Sequence, residues 1–369
     1  MNSKNIKSSR IFYLDQLRAL AIIAIIFVHV ANLWSGSPAD SLNWYARHFF
    51  NIIGRTGVPI FLMLSGALLL NKNYEIWAFM KKRFPRILNP FIFWMAIVIV
   101  FAVITEQKFH IFNSIPMAMP YIIKTFITNR WYVWILIGVY LAMPIINDFV
   151  KNRGLKGVEY FLLLWVITSL ICSISQYYDI SLNYLGLALF FFAGPLGYVL
   201  LGYYLRFKKF NYSPRKLMIL GLIMFVSAIL LKTFLTWNGW FNQGLFRYYV
   251  FDTKSFLYMD IFAFLQVIGF FMFFRYLNEG QIGLTSKISS FLSQGIIRKL
   301  TISLSKSSYG VYLNHLVFID LIGLLGLQLV QRNALKWIPF LIIVILLVSW
   351  GTMVILDRIP YLKKITGYH

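Results

Sequence analysis

Residues 13–34 read YLDQLRALAIIAIIFVHVANLW. After Asp15, only Arg18 and His29 bring an ionisable group into this run. A stretch so long and so apolar has the length needed to cross a bilayer as a helix. On a helix, the eleven steps from Arg18 to His29 make three turns plus about 20°, so both side chains share one face. They stand about 16 Å apart along the axis. A cation at the membrane edge is thereby aligned with an imidazole deep in the apolar layer. Ionisable side chains inside a bilayer are costly and mark pathways or reaction sites.

The rest of the chain repeats that pattern. Of its 369 residues, 59% are hydrophobic and 13% charged, and the mean hydropathy is +0.71. Ordinary soluble domains carry far more charge. The apolar runs are continuous rather than alternating, which excludes a β-barrel. The expected fold is all-α: a polytopic integral membrane bundle of about ten transmembrane helices, at roughly 17–35, 48–70, 87–105, 131–149, 158–176, 185–205, 216–235, 256–276, 308–330 and 337–356. No linker, repeat or low-complexity tract divides it, so residues 1–369 are expected to form a single membrane domain with no appended soluble domain. SKISSFLSQGIIRKL, residues 286–300, has amphipathic spacing suited to the membrane surface.

Net charge is +23. In a soluble chain this would point to nucleic acid; here it follows the positive-inside rule, and no nucleic-acid partner is expected. Alternate connections and both termini hold 25 Lys and Arg, the opposite side 9, and Arg55 lies within the second span. That asymmetry places both termini in the cytoplasm. The expected location is a cell membrane of the bacterial plasma or inner type, with multiple passes and lipids as partners. The single cysteine, Cys172, sits in an apolar run, so no internal disulfide forms.

Polar residues inside the spans are the candidates for chemistry. In the second span Arg55 lies at a depth similar to His29, and His48 precedes it by seven residues on the same face. Arg55 either faces the interior or snorkels outward. Gly54, Gly57 and Gly66 permit close helix approach, and Pro59 is expected to kink the helix. Between the second and third spans, Lys81, Lys82, Arg83 and Arg86 crowd within six residues. Such a cluster suits an anionic headgroup or a phosphate-bearing cofactor; it also suits a topology signal. Trp131, Tyr132 and Trp134 have the spacing of an interfacial belt. The ninth span opens with SSYGVYLNHLVFID, which carries Tyr309, Tyr312, Asn314, His315 and Asp320. His315 has a structural or a functional role. There is no Walker motif, GxSxG, HExxH or paired cysteine set, and no metal is expected. Acid–base chemistry or proton-coupled transport remains.

Four blocks resemble the membrane acyltransferase-3 family. DQLRALAIIAIIFVHV is similar to its first-helix signature, with Asp15, Arg18 and His29. GRTGVPIFLMLSGALLL is similar to its second-helix block, with Arg55 and Ser65–Gly66, although Leu62–Met63 stand where aromatics are commoner. KKRFPRILNP resembles its Arg-x-x-Arg, here Arg83 and Arg86. SSYGVYLNH resembles the start of its ninth helix, with His315. WYVWILIGVYLAMPII and LGYYL are weaker echoes. No block is specific alone; all four in order are. The resemblance implies transfer of an acyl group, acetyl first, from cytoplasmic acyl-CoA to a hydroxyl or amine of a surface polysaccharide, lipid-linked sugar or similar acceptor. Acyl-CoA is then a co-substrate, with no permanently bound cofactor. It makes His29 the general base, with Arg18, Arg55 and Asp15 as its catalytic companions. Asp15 either orients Arg18 or acts as a separate interfacial acid. Lys82, Arg83 and Arg86 become donor-binding residues, and Tyr309, His315 and Trp134 candidate substrate or oxyanion contacts. The alternative class is a multi-span exporter or flippase of a lipid-linked saccharide that uses its buried charges for proton coupling.

Overall fold

The computed structural model describes residues 10–105, 131–177, 192, 194–238, 261–279 and 284–368. Among the described residues every regular element is helical, the form in which a spanning segment satisfies its own backbone. In chain order these are α1 (Phe12–Ala31), α2 (Leu42–Gly54), α3 (Gly57–Leu69), α4 (Ile76–Thr105), α5 (Trp131–Tyr177), α6 (Pro195–Phe207), α7 (Pro214–Trp237), α8 (Ile261–Glu279), α9 (Leu284–Ser293), α10 (Gly295–Leu324), α11 (Ala334–Asp357) and α12 (Pro360–Lys363). Seven stretches among the described residues are long and apolar enough to cross a membrane. The protein is an all-α polytopic membrane bundle.

The elements depart from the sequence expectation in four places. The second span is two helices, α2 and α3, which TM-length apolar sequence Leu42–Leu69 joins across Arg55 and Thr56. Pro59 lies in the first turn of α3 rather than at a kink. Its ring excludes the carbonyl of the residue four before it, which is Arg55, so the interruption falls one turn earlier. Helix α5 runs through both the fourth and fifth expected spans, with Gly154 between them at φ 60° and ψ −157°. That left-handed φ favours glycine, so the single stretch is two helices meeting at one residue. The expected 185–205 span lies partly outside the described residues; α6 covers its second part. The amphipathic segment 286–300 is divided, because Gly295, at φ 57°, separates α9 from α10. Helix α10 therefore begins well before the expected 308–330 span and carries Arg298, Lys299 and Lys306 in its first half.

Helix α1 is the centre of the bundle. It packs against α2, α3, α8, α10 and α11, and Leu17, Ile22, Ile26 and Val30 are fully buried. Within lipid, such helices associate through close packing and hydrogen bonds rather than through hydrophobic driving force. Glycines set the closest approaches. A Cβ at Gly54 would stand 2.6 Å from the Ala24 carbonyl oxygen on α1. One at Gly66 would overlap the Val199 carbonyl of α6, and one at Gly202 the Met63 carbonyl of α3.

Hydrogen bonds tie helix ends at two opposite poles. At one pole Arg206 donates to the Ala67 carbonyl and Arg275 to the Leu205 carbonyl, cations placed on the carbonyl ends of α3 and α6. Asn278 donates to Gln16 at 2.8 Å. At the other pole the Trp34 indole and the Asn43 amide both donate to the Arg332 carbonyl, at 3.0 and 2.9 Å. Residues that the positive-inside pattern assigns to one side thus meet at one end of the bundle.

Candidate active site

A cavity of about 420 Å³ opens at the first pole, between α1, α3, α4, α5, α10 and the C-terminal residues. Its lower wall is apolar: Phe61, Leu64 and Leu68 from α3 and Leu136 from α5. Tyr132 and Tyr140 stand on the same face of α5 as Leu136, at four-residue spacing, and also line it. Five basic side chains reach the space: Arg18, Lys72, Arg83, Arg86 and Lys306. No carboxylate is among the described lining residues.

The sequence rule for α4 explains the choice among its cations. Arg83, Arg86 and Ile87 lie three and four residues apart and so share one helical face, which lines the cavity. Lys81 and Lys82 fall on the exposed side and do not line it. Lys82, expected among the donor-binding residues, is thus placed outside the cavity wall by helix phase. Glu75 caps α4 by accepting from the Trp77 and Ala78 amides at 3.0 and 2.7 Å, which fixes where that face begins.

Arg18 lines the cavity as the aligned face of α1 suggested. Asp15 is not its hydrogen-bonding partner. The carboxylate accepts from Arg10 at 2.5 and 2.7 Å and from the Ser305 hydroxyl at 2.7 Å. Three residues before Arg18, Asp15 points instead to the seam between α1 and α10. Its placement is that of a wall tie, since Ser305 is a lining residue.

Tyr309 and Tyr312, one turn apart on α10, both line the cavity, with rings stacked at 6.5 Å and 13°. The Tyr309 hydroxyl donates to the Ile87 carbonyl at 2.9 Å and so joins α10 to α4; its proton is engaged there rather than offered to an oxyanion. Trp134 lies off the cavity, 40% exposed, with its ring edge-on to Phe91 at 5.9 Å.

His29 does not line the cavity either. It belongs to a second cluster one step deeper. Its ring lies 5.0 Å from that of His315, centroid to centroid, at 57°. His315 is fully buried and in turn lies 5.9 Å from the Tyr312 ring. Aromatic and imidazole rings therefore run without a gap from the cavity wall to His29. His315 Nδ1 is 3.0 Å from the Val311 carbonyl oxygen. A carbonyl only accepts, so Nδ1 is the donor in this contact. The meeting of His29 with His315 was not legible in sequence, where nearly the whole chain separates them.

Arg55 sits at the α2–α3 break. Its Nε donates to the Asn51 side-chain oxygen at 3.0 Å, and Asn51 donates to Asn32 at 3.1 Å. Asn32 follows His29 by three residues at the end of α1, so this chain ties the guanidinium toward the His29 end of the helix. Arg55 is half-buried there. His48 is buried against Trp44, ring to ring at 3.9 Å, with Nδ1 2.7 Å from the Trp44 carbonyl oxygen. Asn314 donates to the Ser349 carbonyl at 3.1 Å and joins α10 to α11. Asp320 is exposed.

Two residues outside the sequence-derived set complete the site. Lys72 follows Asn71, which adopts φ 58° just past α3. Its backbone is clasped by Asn147 of α5: the Lys72 amide donates to Asn147 Oδ1 at 3.1 Å, and Asn147 Nδ2 donates to the Lys72 carbonyl at 2.9 Å. Lys306 adjoins the Ser305–Asp15 tie. The C-terminal residues form the remaining wall: Gly367 lines the cavity, and the Trp94 indole donates to the Thr366 carbonyl at 3.1 Å.

A family model described as an acyltransferase domain matches residues 11–356, nearly the whole chain. No curated protein and no solved structure matches it.

Proposed function

The chain belongs to this membrane acyltransferase family, and from that premise we propose that it moves an acyl group, acetyl first, from cytoplasmic acyl-CoA to a hydroxyl or amine of a cell-surface polysaccharide or lipid-linked sugar. One observation carries the reading: a single cavity gathers Arg18, Arg83 and Arg86 above an apolar floor, with no lining carboxylate among the described residues. Arginines hold phosphates through paired charge-assisted hydrogen bonds. The apolar floor of Phe61, Leu64, Leu68 and Leu136 then suits the pantetheine arm and its thioester.

In this reading the acceptor's oxygen or nitrogen attacks the thioester carbon while His29 takes its proton. The tetrahedral oxyanion is stabilised by Arg55, which the Asn51–Asn32 chain holds near the His29 end of α1. Collapse breaks the carbon–sulfur bond, and the thiolate leaves with the proton that His29 received. Tyr312 and His315 stand between the cavity and His29, so the acyl end of the donor passes Tyr312 to reach its base.

Purified protein supplied with acetyl-CoA and an envelope glycan fraction tests this. Release of free CoA thiol, with a matching mass gain on the glycan, is the expected result. Replacing His29 with Ala should cut the rate by about 10²- to 10⁴-fold, the range for loss of a general base, with insertion and folding unchanged. A His29→Ala protein that turns over normally removes the base assignment. Movement of a lipid-linked saccharide across vesicles without thioester use replaces the whole reading with transport.

A further inference from the structure

Three helices bring an aromatic ring to the same end of the cavity. On α3 the lining residues run from Phe61 to Leu68 and Leu69, with Lys72 just beyond. On α5 they run from Tyr132 through Leu136 to Tyr140, and on α10 from Ser305 to Tyr312. Asn147, further along α5, clasps the Lys72 backbone. Tyr140 therefore belongs to the cationic end, and Tyr132 lies about 12 Å deeper along the helix. Ser305 is tied to Asp15 near the start of α1, and Tyr312 stands about two turns further in. The innermost lining position of each helix is thus a ring: Phe61, Tyr132 and Tyr312.

These rings meet. Tyr132 lies 6.3 Å from Phe61, centroid to centroid, and 5.4 Å edge-on from Tyr312. Both tyrosines are buried. Tyr312 is held from further sides as well: Tyr309 stacks on it at 6.5 Å, and the His315 ring stands 5.9 Å away, between it and His29. Such separations are those of aromatic pairs in contact. A wall of rings therefore closes the deep end of the cavity, with the two imidazoles behind it.

We propose that Phe61, Tyr132 and Tyr312 set the length of the acyl group, so that acetyl passes and straight chains of four or more carbons do not. This rests on the acyl-CoA reading above and adds which acyl donors the cavity takes. With the diphosphate at Arg83 and Arg86 and the pantetheine arm along the apolar floor, the acyl carbons are the part of the donor that meets the rings. Packed interiors yield little to added volume. A two-carbon group asks for a small turn of Tyr312. Each further methylene must displace a ring that its neighbours already hold.

The test compares acetyl-, butyryl- and hexanoyl-CoA as donors for the full-length protein in detergent, read by release of CoA thiol with the glycan fraction as acceptor. Wild-type kcat/KM should fall by about 10-fold or more from acetyl to butyryl, since a pocket discriminates a single methylene by about 10- to 200-fold. Hexanoyl-CoA should turn over poorly yet compete with acetyl-CoA, because its nucleotide end is unaltered. Phe61→Ala and Tyr132→Ala should each raise the butyryl-to-acetyl ratio by about 10-fold. Tyr132→Phe keeps the ring and should keep the ratio. Leu68→Ala, nearer the cationic end, should shift KM for both donors alike and leave the ratio where it was. If an alanine variant fails to fold, Phe61→Leu, a smaller cut, reads the same ratio. Equal wild-type use of acetyl and butyryl overturns the proposal and leaves the acyl-CoA reading intact; that comparison needs no variant to fold. A ratio that stays at its wild-type value in the Phe61 and Tyr132 variants, or rises as far in Leu68→Ala, also overturns it. So does absence of competition by hexanoyl-CoA, which would put the discrimination outside the ring wall. Failure of the wild type to use any CoA thioester overturns both readings together.

Discussion

Arg18 and His29 share a helix face but not a cavity, and the residue that joins their surroundings is His315. Its Nδ1 lies 3.0 Å from the Val311 carbonyl oxygen, and its ring packs 5.0 Å from that of His29. A fully buried ring packed there steadies the orientation of His29. His315→Ala should therefore lower turnover by less than the about 10²- to 10⁴-fold expected of losing the base itself, and leave KM for acyl-CoA little changed, because the cavity whose cations are proposed to hold the donor's phosphates is lined without His315. Steady-state kinetics decides: a change confined to KM would remove His315 from the reacting end. At this scale the sequence was legible where chemistry repeats at helical spacing. Arg18 and His29 on one face, and Arg83 with Arg86, could be picked out by residue type and phase. Lys72 and Lys306 could not, since each is one lysine among many that the positive-inside rule already explains. Only the Asn147 clasp and the Ser305 tie, made across distant parts of the chain, distinguish them. Asp15 was visible as an orienter of Arg18 or a separate interfacial acid, but its partner, Arg10 rather than Arg18, depended on which way one carboxylate turned.

At the scale of elements, small residues decide how closely helices meet. Gly54, Gly57 and Gly66 were readable as approach points from sequence, and the partners they meet are backbone carbonyls on α1 and α6. Gly138 provides a contrast within α5, where an added Cβ meets nothing within 4 Å. Gly66→Ala must displace the Val199 carbonyl of α6, and overpacking of this kind costs about 1–3 kcal/mol. Gly138→Ala gains helix propensity at no steric cost, about 0.5–1 kcal/mol. Thermal unfolding in detergent should lower the midpoint for the first and hold or raise it for the second. Equal behaviour of the two would mean that the α3–α6 contact does not limit stability. The division of the second span was half legible. Pro59 announced a disturbance, but the site of the break follows from the carbonyl that proline excludes, which places it at Arg55 and gives that side chain its position beside Asn51. The length of α10 was less so: its charged first half is amphipathic rather than continuously apolar, and it packs beside α9, α4 and α1.

At the scale of the whole molecule, the bundle has two unlike poles, and the proposed chemistry needs them on opposite sides of a membrane. The cavity with its five cations opens at the pole where Arg206 and Arg275 bind helix ends, and His29 lies toward the pole of Trp34 and Arg332. From the charge count of 25 against 9 we propose that the cavity pole faces the cytoplasm, the side that supplies acyl-CoA. Two exposed positions report this directly: Ala39, between α1 and α2, and Asn211, between α6 and α7. In a Cys172→Ala background, an impermeant thiol reagent applied to intact cells should label Ala39→Cys and miss Asn211→Cys until the membrane is opened. Sealed vesicles should then consume acyl-CoA only from the face that exposes Asn211, while the acylated acceptor accumulates on the other. The two measurements are coupled, because the proposed route from Arg83 past Tyr312 to His29 runs along α1 from one pole toward the other. Labelling of Asn211→Cys from outside would invert the orientation. Correct labelling with donor use from the Ala39 face would keep the orientation and discard the route, since the cationic cavity would then not be the donor's entrance.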